Sequence, residues 1–146
     1  MIDRKVASLL AVAEEQNFTK AAERLSLTQP AISQHIKQLE EALGVLLFTR
    51  GKGAIRPTDA GETVIRYARR LNTLYERMTM AIADQEKQLT RLRVGVTHTA
   101  ESNIVAEVLA EYGNLNPGIV ITILTDTIKN LYDRLDNYDL DMAIVE

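Results

Sequence analysis

Apolar residues recur with the period of an α-helix through the first third of the chain. The pattern predicts three helices, over residues 3–16, 18–25 and 29–43. The third carries one continuous apolar stripe, formed by Ile32, Ile36, Leu39 and Leu43. Thr19 and Thr28 are the expected N-caps of the second and third helices, and Gly44 is the expected C-cap of the third. Three amphipathic helices with short connections predict a small helical core.

The third predicted helix has a polar face beside its apolar stripe. The residues that lie mainly off the stripe are Gln29, Ser33, Gln34 and Lys37. A buried stripe behind a face of hydrogen-bonding side chains is what a helix needs to enter the major groove of DNA. A short turn at residues 26–28 precedes this helix, so the second and third helices form a candidate helix-turn-helix. The alternative is an ordinary helical hairpin in a core.

Residues 46–57 change to the pattern of a short β-hairpin. Segments 46–49 and 54–56 are strand candidates, and the turn between them is rich in glycine and basic residues. Such a hairpin, next to a helix-turn-helix, is called a wing. Basic side chains of a wing can reach phosphates or the minor groove of DNA. The candidates in this chain are Arg50, Lys52 and Arg56. The alternative is a solvated basic loop.

A long amphipathic helix is predicted over residues 58–89, with Thr58 as its cap. Its apolar residues follow alternating spacings of four and three, the heptad pattern of a coiled coil. This seam consists of Val64, Ala68, Leu71, Tyr75, Met78, Ile82 and Leu89, with Gln85 as its polar position. Because a small domain cannot cover so long a helix, we expect the seam to pair with a second copy in a two-fold dimer. The alternative is a core helix within one chain.

Residues 90–146 alternate strand and helix patterns in the order βαβαβ. The segments are, in turn, 92–96, 101–112, 119–124, 128–137 and 142–145. This order predicts a parallel sheet, and the apolar run at 119–124 indicates a strand covered on both faces. In the predicted helix over residues 101–112, the residues expected to face inward are Ile104, Val105, Val108 and Leu109.

The carboxyl ends of these strands are rich in hydroxyl groups. Ligands of parallel sheets bind beyond such ends. The candidate small-molecule-binding residues are therefore Thr97, His98, Thr99, Thr125 and Thr127.

Composition limits the classes of function. The 146 residues contain no cysteine, which excludes disulfides and thiolate metal sites, and no other metal-ligand spacing occurs. We expect no metal and no cofactor. The absence of a membrane-spanning run and of a signal-peptide pattern predicts a cytoplasmic location. Formal charge is +2 over residues 1–58, 0 over 59–89 and −5 over 90–146, which permits DNA binding by the first segment.

The sequence does not favour an enzyme, and we expect no catalytic residue. Its two histidines are His35 and His98. His35 and Ser33 do not face each other on a helix, so His35 is expected at the surface or at the edge of a groove. His98 is expected in a solvated loop, with a ligand pocket as the alternative. Asp139 and Asp141 are expected to be solvated caps.

Several short motifs follow one another in order along the chain. They are A-A-E-R-L at 21–25, T-Q-P-A-I-S-Q-H-I-K-Q-L-E at 28–40, L-G-V-L-L-F-T-R at 43–50, P-T-D-A-G at 57–61 and L-D-M-A-I-V at 140–145. Together they resemble the LysR-type transcriptional regulators. The last motif is similar to the end of the first βαβαβ unit in the family's effector-binding domain, so the resemblance covers the whole chain.

The resemblance implies a winged helix that binds DNA as a dimer through the linker helix, with tetramers usual in the family. It also implies a small-molecule effector, bound by a two-lobed domain like that of periplasmic binding proteins. The positions that match the family's groove-contacting residues are Gln29, Pro30, Ser33 and Gln34. Thr28 and Lys37 flank them, and Arg50 and Arg56 match wing positions.

The chain departs from the family pattern in three ways. Gln34 stands where Arg is common, and Gln favours adenine whereas Arg favours guanine. Asn17 stands where Ser is commoner. Family members are also about twice as long, so a cleft between two lobes is expected to be incomplete in these residues.

The predicted fold class is multidomain α+β. It comprises a winged helix-turn-helix over 1–58, a linker dimerisation helix over 59–89 and a partial α/β effector-binding lobe over 90–146. The leading function is a sequence-specific regulator that binds double-stranded DNA as a homodimer or homotetramer and senses a small molecule, with no membrane partner. One alternative is an interaction protein that forms mixed dimers with full-length relatives. Another is a ligand-sensing module that does not bind DNA.

Overall fold

The computed structural model describes residues 3–49, 55–101 and 104–145. The chain divides into two compact units, residues 1–72 and 73–146. The elements of the first unit are α1 (Arg4–Glu15), α2 (Phe18–Arg24), α3 (Gln29–Leu43), β1 (Phe48–Thr49), β2 (Arg56–Pro57) and the first part of α4 (Asp59–Glu86). This is the predicted winged helix-turn-helix architecture.

The core of the first unit forms where α1, α2 and α3 meet. The fully buried large side chains are Leu9, Val12, Ile32, Ile36 and Leu47. Ala21 and Ala22 on α2 are also buried, and their small size lets the neighbouring helices approach closely. Burying these apolar side chains supplies most of the free energy that holds the helices together.

The helix caps were predicted correctly at α3 and wrongly at α2. Thr28 caps α3, and Gly44 ends it with a left-handed φ of 69°. At α2 the cap is Asn17, whose Oδ1 accepts hydrogen bonds from the backbone amides of Thr19 and Lys20 at 2.8 and 3.1 Å. An N-cap must precede the helix with extended backbone, which holds for Asn17 (φ −155°, ψ 123°), whereas Thr19 lies inside the helix.

The wing strands pair antiparallel but are shorter than predicted. Phe48 lies opposite Pro57, and Thr49 lies opposite Arg56. Two backbone groups that precede β1 bond side chains instead of the facing strand. The Leu47 amide donates to Oε1 of Glu40 at 2.8 Å, and the Leu46 carbonyl accepts from the Thr58 hydroxyl at 2.6 Å. The tip of the wing, with Arg50, Lys52 and Ala54, lies outside the described residues.

Helix α4 is shorter at its C-terminal end than the apolar pattern predicted. Its start is as expected, since the Thr58 hydroxyl accepts from the Gly61 amide at 2.9 Å. Its end is at Glu86, where Gln88 takes a left-handed φ of 54° and the Leu89 amide donates to the Asp84 carbonyl at 3.0 Å. Leu89 therefore lies beyond the helix and does not continue the seam.

The second unit contains a three-stranded parallel sheet. Its elements are the last part of α4, β3 (Thr90–Val96), α5 (His98–Glu101), α6 (Ile104–Leu115), β4 (Ile119–Thr125), α7 (Ile128–Asp136) and β5 (Met142–Ile144). The strand order is β4-β3-β5, with β3 paired along its whole length to β4 and β5 joining at Val94. The parallel βαβαβ prediction is confirmed. Val94, Val96, Leu131 and Leu140 are buried.

Two expectations about burial in this unit were wrong. Ile104 and Val108 were expected to face inward, but they are 71% and 51% exposed, and the α6 residue packed on the sheet core is Leu109. Ile104 and Val108 lie four residues apart on one face of α6, which this chain leaves open to solvent, and Leu109 lies about 100° further round the helix. Strand β4 is half-buried in this chain and not covered on both faces.

Candidate functional site

Helix α3 presents the predicted polar face to solvent. The stripe behind it is buried at Ile32 and Ile36, which anchors the helix to the core of the first unit. The exposed residues of the opposite face are Thr28, Gln29, Pro30, Gln34 and Lys37, with Ser33 half-buried among them. The structure therefore brings these candidate residues together on one surface, at the N-terminal end of the helix and along its next turns.

Two of the candidate readout side chains contact each other. The Gln29 amide donates to the Ser33 hydroxyl through Nε2, at 2.9 Å and one turn apart. This bond holds Gln29 along the helix surface and leaves its Oε1 available as an acceptor. Such a fixed pattern of donors and acceptors is what base edges in the major groove require.

The cation on this face is weakly held. Lys37 Nζ lies 3.6 Å from the Glu41 carboxylate one turn further on, and both side chains are more than 60% exposed. An exposed pair at this spacing contributes about 0.3–0.5 kcal/mol, so a phosphate can compete for the lysine at little cost. Arg56 of β2 is also exposed, and its carbonyl accepts from the Thr49 hydroxyl at 3.1 Å.

The prediction for His35 was wrong. It is half-buried, and its Nδ1 lies 2.7 Å from the hydroxyl oxygen of Ser8, a fully buried residue of α1. Sequence reasoning missed this pair because the two residues are 27 positions apart. The available signal was a serine on the apolar side of α1, beside Leu9 and Val12.

The seam of α4 divides into a buried and an exposed part. Val64 packs against the core of the first unit, and Ala68 is buried there. Leu71, Met78 and Ile82 are 56%, 51% and 60% exposed, and Tyr75 is half-buried. The three exposed side chains leave apolar area of α4 open to solvent.

The candidate ligand site lies at the carboxyl ends of β3 and β4. Since these strands are neighbours, Thr97 and Thr125 come to the same edge of the sheet. Thr97 is buried, and its hydroxyl accepts from that of Thr99 at 3.4 Å. Thr127 instead caps α7, accepting from the Asn130 amide at 3.4 Å. His98 is exposed at the start of α5.

Asp126 adds a charged group to this edge. Its carboxylate accepts from the Asn130 side chain at 2.6 Å, the Thr127 amide at 2.8 Å and Nε of Arg134 at 3.4 Å. These bonds, led by that from Asn130, lower the pKa of Asp126. The sequence signal was the spacing of residues 126, 130 and 134, which places all three on one side of a helix start.

The prediction that the acidic residues before β5 are solvated caps was wrong, because both carboxylates bond other parts of the chain. Asp139 accepts from the Thr73 hydroxyl at 3.2 Å. Asp141 pairs with the Arg77 guanidinium and accepts from the Arg93 amide at 2.8 Å. Partial burial opposes the ionisation of Asp141, but the bonds from Arg93 and Arg77 outweigh it and lower its pKa.

A second ion pair joins α4 to β3. Asp84 accepts two bonds from Arg91, at 2.6 and 3.0 Å. The hydrogen bond from Arg91 lowers the pKa of Asp84. Two pairs, at Arg77 and at Asp84, therefore fix the C-terminal half of α4 to the sheet of the second unit.

Metal-ligand clusters and membrane-spanning helices are both absent from the residues that the structure describes. Within residues 3–49, 55–101 and 104–145, histidines and carboxylates form no cluster of metal-binding size. Over the same ranges no helix has the length and hydropathy that crossing a bilayer requires.

Both units match family models of known regulators. Residues 4–62 match the bacterial regulatory helix-turn-helix protein model of the lysR family, and residues 85–146 match the LysR substrate binding domain. The order of the two matches is that of a helix-turn-helix followed by a ligand-binding α/β domain. The chain belongs to the LysR family of transcriptional regulators.

Similar proteins support the same family. A probable RuBisCO transcriptional regulator of Phaeodactylum tricornutum is 34% identical over 94% of this chain and 45% of its own length. The transcriptional activator CmpR of Synechocystis is 35% identical over 87% of this chain and 42% of its own length. The chain thus spans less than half the length of these curated relatives.

Solved structures show the same architecture. Full-length CbnR in complex with its target DNA superposes with a TM-score of 0.80, at 26% identity, over 96% of this chain and 48% of CbnR. The BenM DNA-binding domain in complex with benA site 1 DNA has a TM-score of 0.54 at 37% identity, over 57% of this chain and 93% of that domain.

Proposed function

We propose that this chain binds double-stranded DNA sequence-specifically, as a dimer or higher oligomer, and regulates transcription. The observation that carries the proposal is the exposed polar face of α3, which is backed by the fully buried Ile32 and Ile36. Both CbnR and the BenM domain were solved with DNA. The similar proteins of this family are named as transcriptional regulators. We also propose that the protein is cytoplasmic and has no catalytic activity.

The residues of α3 and the wing have separate roles in this proposal. Gln29, Ser33 and Gln34 read base edges, because their amide and hydroxyl groups donate and accept hydrogen bonds. Lys37, Arg50, Lys52 and Arg56 contact phosphates or the minor groove, with Thr28 and Pro30 at the start of the helix. Contacts to phosphates position the protein, whereas contacts to bases specify the sequence.

The exposed part of the α4 seam holds two copies together. Leu71, Met78 and Ile82 present apolar area that one chain leaves open to water. Pairing two such helices removes this area from water and places two copies of α3 on the same duplex. The expected half-site spacing is about one helical turn, roughly 34–36 Å.

The second unit senses a small-molecule effector at the carboxyl ends of β3 and β4. Thr97, Thr99 and Thr125 offer hydroxyl groups there, and Thr127 sits at the start of α7. His98 is exposed at the same end of the sheet. Hydroxyl groups of this kind recognise a polar ligand through hydrogen bonds.

The test is selection of DNA from a randomised duplex library by the purified chain at two salt concentrations. The expected result is a two-fold-symmetric motif, with affinity that falls steeply as salt rises because counterions are released from the contacted phosphates. Salt-sensitive binding without a motif would reject the readout roles of α3. A chain that binds no DNA but pairs with a full-length LysR regulator would favour the mixed-dimer function instead.

A further inference from the structure

We propose that Ser8 and His35 form a positioning pair that fixes the orientation of α3 and thereby the base preference of its exposed face. The inference rests on the proposed DNA-binding function and assigns a role to two residues outside the DNA contact surface. Neither side chain needs to touch DNA for this role.

The pair joins α1 to α3 through one buried and one half-buried side chain. Ser8 lies on α1 and is fully buried beside Leu9 and Val12, so its hydroxyl cannot turn to solvent for a partner. The bond to His35 Nδ1 on α3 measures 2.7 Å, a full-strength hydrogen bond. Without this bond the Ser8 hydroxyl can turn only to a backbone carbonyl one turn earlier in α1, and nothing then ties α1 to His35 of α3.

The Ser8–His35 hydrogen bond resists rotation of α3, which the apolar contacts of the core resist only weakly. The contacts of Ile32 and Ile36 with α1 and α2 are non-directional, so they oppose separation of the helices more strongly than a small rotation or slide of α3. The Ser8–His35 bond depends on distance and angle and therefore resists that rotation.

Rotation of α3 would displace the readout residues together. Gln34 is the immediate neighbour of His35, and Ser33, bonded to Gln29, lies just before it. Bidentate hydrogen bonds to a base edge tolerate little displacement, whereas contacts of flexible lysines with phosphates tolerate much more. Loss of the pair should therefore reduce discrimination between sequences more than it reduces affinity for DNA in general.

Three variants of the full chain test this role. Ser8→Ala removes the hydroxyl group. His35→Asn keeps a hydrogen-bonding atom two bonds beyond Cβ, where Nδ1 stands in histidine. His35→Gln is the matched control, because its amide atoms stand one bond further out and lose the Nδ1 position. Dissociation constants are measured for the wild-type selected duplex and for a scrambled duplex, together with Tm.

Ser8→Ala and His35→Gln are expected to lower the ratio of scrambled to selected dissociation constants about tenfold, which is the discrimination one good base contact supplies. The scrambled constant should stay unchanged, and His35→Asn should keep the wild-type ratio. An unchanged ratio in Ser8→Ala, equal behaviour of the two His35 variants, or a parallel loss of both affinities with Tm would overturn the inference. A wild-type chain without any sequence preference would overturn the proposed function as well, so the two failures are distinguishable.

Nitrogen NMR of the imidazole rings tests the bond itself. The chain has two histidines, and His98→Gln assigns their signals. Ser8→Ala is expected to shift the Nδ1 signal of His35 and leave that of His98 in place. A His35 signal that does not respond would contradict the pair.

Discussion

At the residue scale, Gly61 is required by the close approach of α4 to the chain that enters the wing. A Cβ at this position would lie 2.0 Å from the backbone oxygen of Leu47. The Thr58 amide already donates to that oxygen at 3.0 Å, so the oxygen cannot move freely. The glycine of the P-T-D-A-G motif is therefore needed for packing.

Gly61→Ala is expected to destabilise the first unit by about 3 kcal/mol, because relieving the clash requires a backbone shift in a packed region. Urea unfolding followed by circular dichroism measures this change. Thr63→Ala, at an exposed position of the same helix, is the control and should change stability by less than about 0.5 kcal/mol. Wild-type stability of the Gly61 variant would mean that α4 does not pack on Leu47.

Gln34 is one of the residues proposed to read base edges. It is exposed on α3, between Ser33 and His35. A glutamine amide pairs with adenine through a donor and an acceptor, whereas a guanidinium offers donors alone.

Gln34→Arg is expected to change the preferred base at one position of each half-site from adenine to guanine, with discrimination of about 1–3 kcal/mol. Selection from a randomised library measures the change. Lys37→Ala is the comparison, and it should weaken binding to all sequences alike and lower the salt slope by about one. An unchanged selected motif in the Gln34 variant would remove this residue from the readout set.

At the element scale, α4 combines two kinds of surface. Its N-terminal turns are anchored through Ile65 and Ala68 in the core of the first unit. Its C-terminal turns are fixed within the second unit by Arg77 and Asp84, while apolar side chains of the same turns stay exposed. The helix is thus held on one side and open on the other, which suits a dimerisation helix.

Met78 and Met80 give a matched test of the seam. Both are methionines of α4, and their side chains are 51% and 45% exposed. Because they are two positions apart, they lie on different faces of the helix. Met78→Glu is expected to dissociate the dimer by placing like charges across the seam. Met80→Glu should leave it intact, since the Arg93 guanidinium lies beside Met80 Sδ and accommodates a carboxylate.

Sedimentation velocity over a range of concentrations measures the effect. A loss of self-association in both variants would point to general destabilisation, which thermal unfolding would reveal. Retention of the dimer in both variants would reject the seam as the interface.

At the scale of the whole molecule, the second unit contains aspartates whose ionised forms the fold stabilises. Three aspartates of the second unit, Asp84, Asp126 and Asp141, have lowered pKa values because hydrogen bonds and guanidinium groups stabilise their ionised forms. A carboxyl group with a lowered pKa stabilises the fold above its unfolded pKa, and the stabilisation is lost as pH falls through the folded pKa.

The second unit is therefore expected to unfold before the first as pH falls below about 4, the ordinary pKa range of aspartate. Methyl NMR signals of Ile32 and Val94 distinguish the two units during an acid titration. Asp84→Asn should lower the stability of the second unit at neutral pH and make it less sensitive to acid. Simultaneous loss of both methyl signals, with no effect of the variant, would contradict this account.

The sequence by itself determined the elements and the face that α3 presents. The periods of apolar residues predicted the three helices, the wing and the parallel βαβαβ sheet, because an amphipathic pattern records which side of an element is buried. The polar face of α3 followed from the same pattern. The use of its residues for DNA contact, of Arg50 and Lys52 in the wing, and of the seam for dimerisation stays a prediction.

Only the tertiary structure decided which distant groups meet. His35 bonds Ser8 across the core, Asp139 and Asp141 bond residues of α4, and Ile104 and Val108 face outward. Local periodicity cannot supply these results, because each depends on the partner that another element brings near. The helix end at Glu86 was missed for a local reason, since the left-handed Gln88 and backbone bonds to Asp84 and Gln85, rather than the apolar spacing, stop α4 before Leu89.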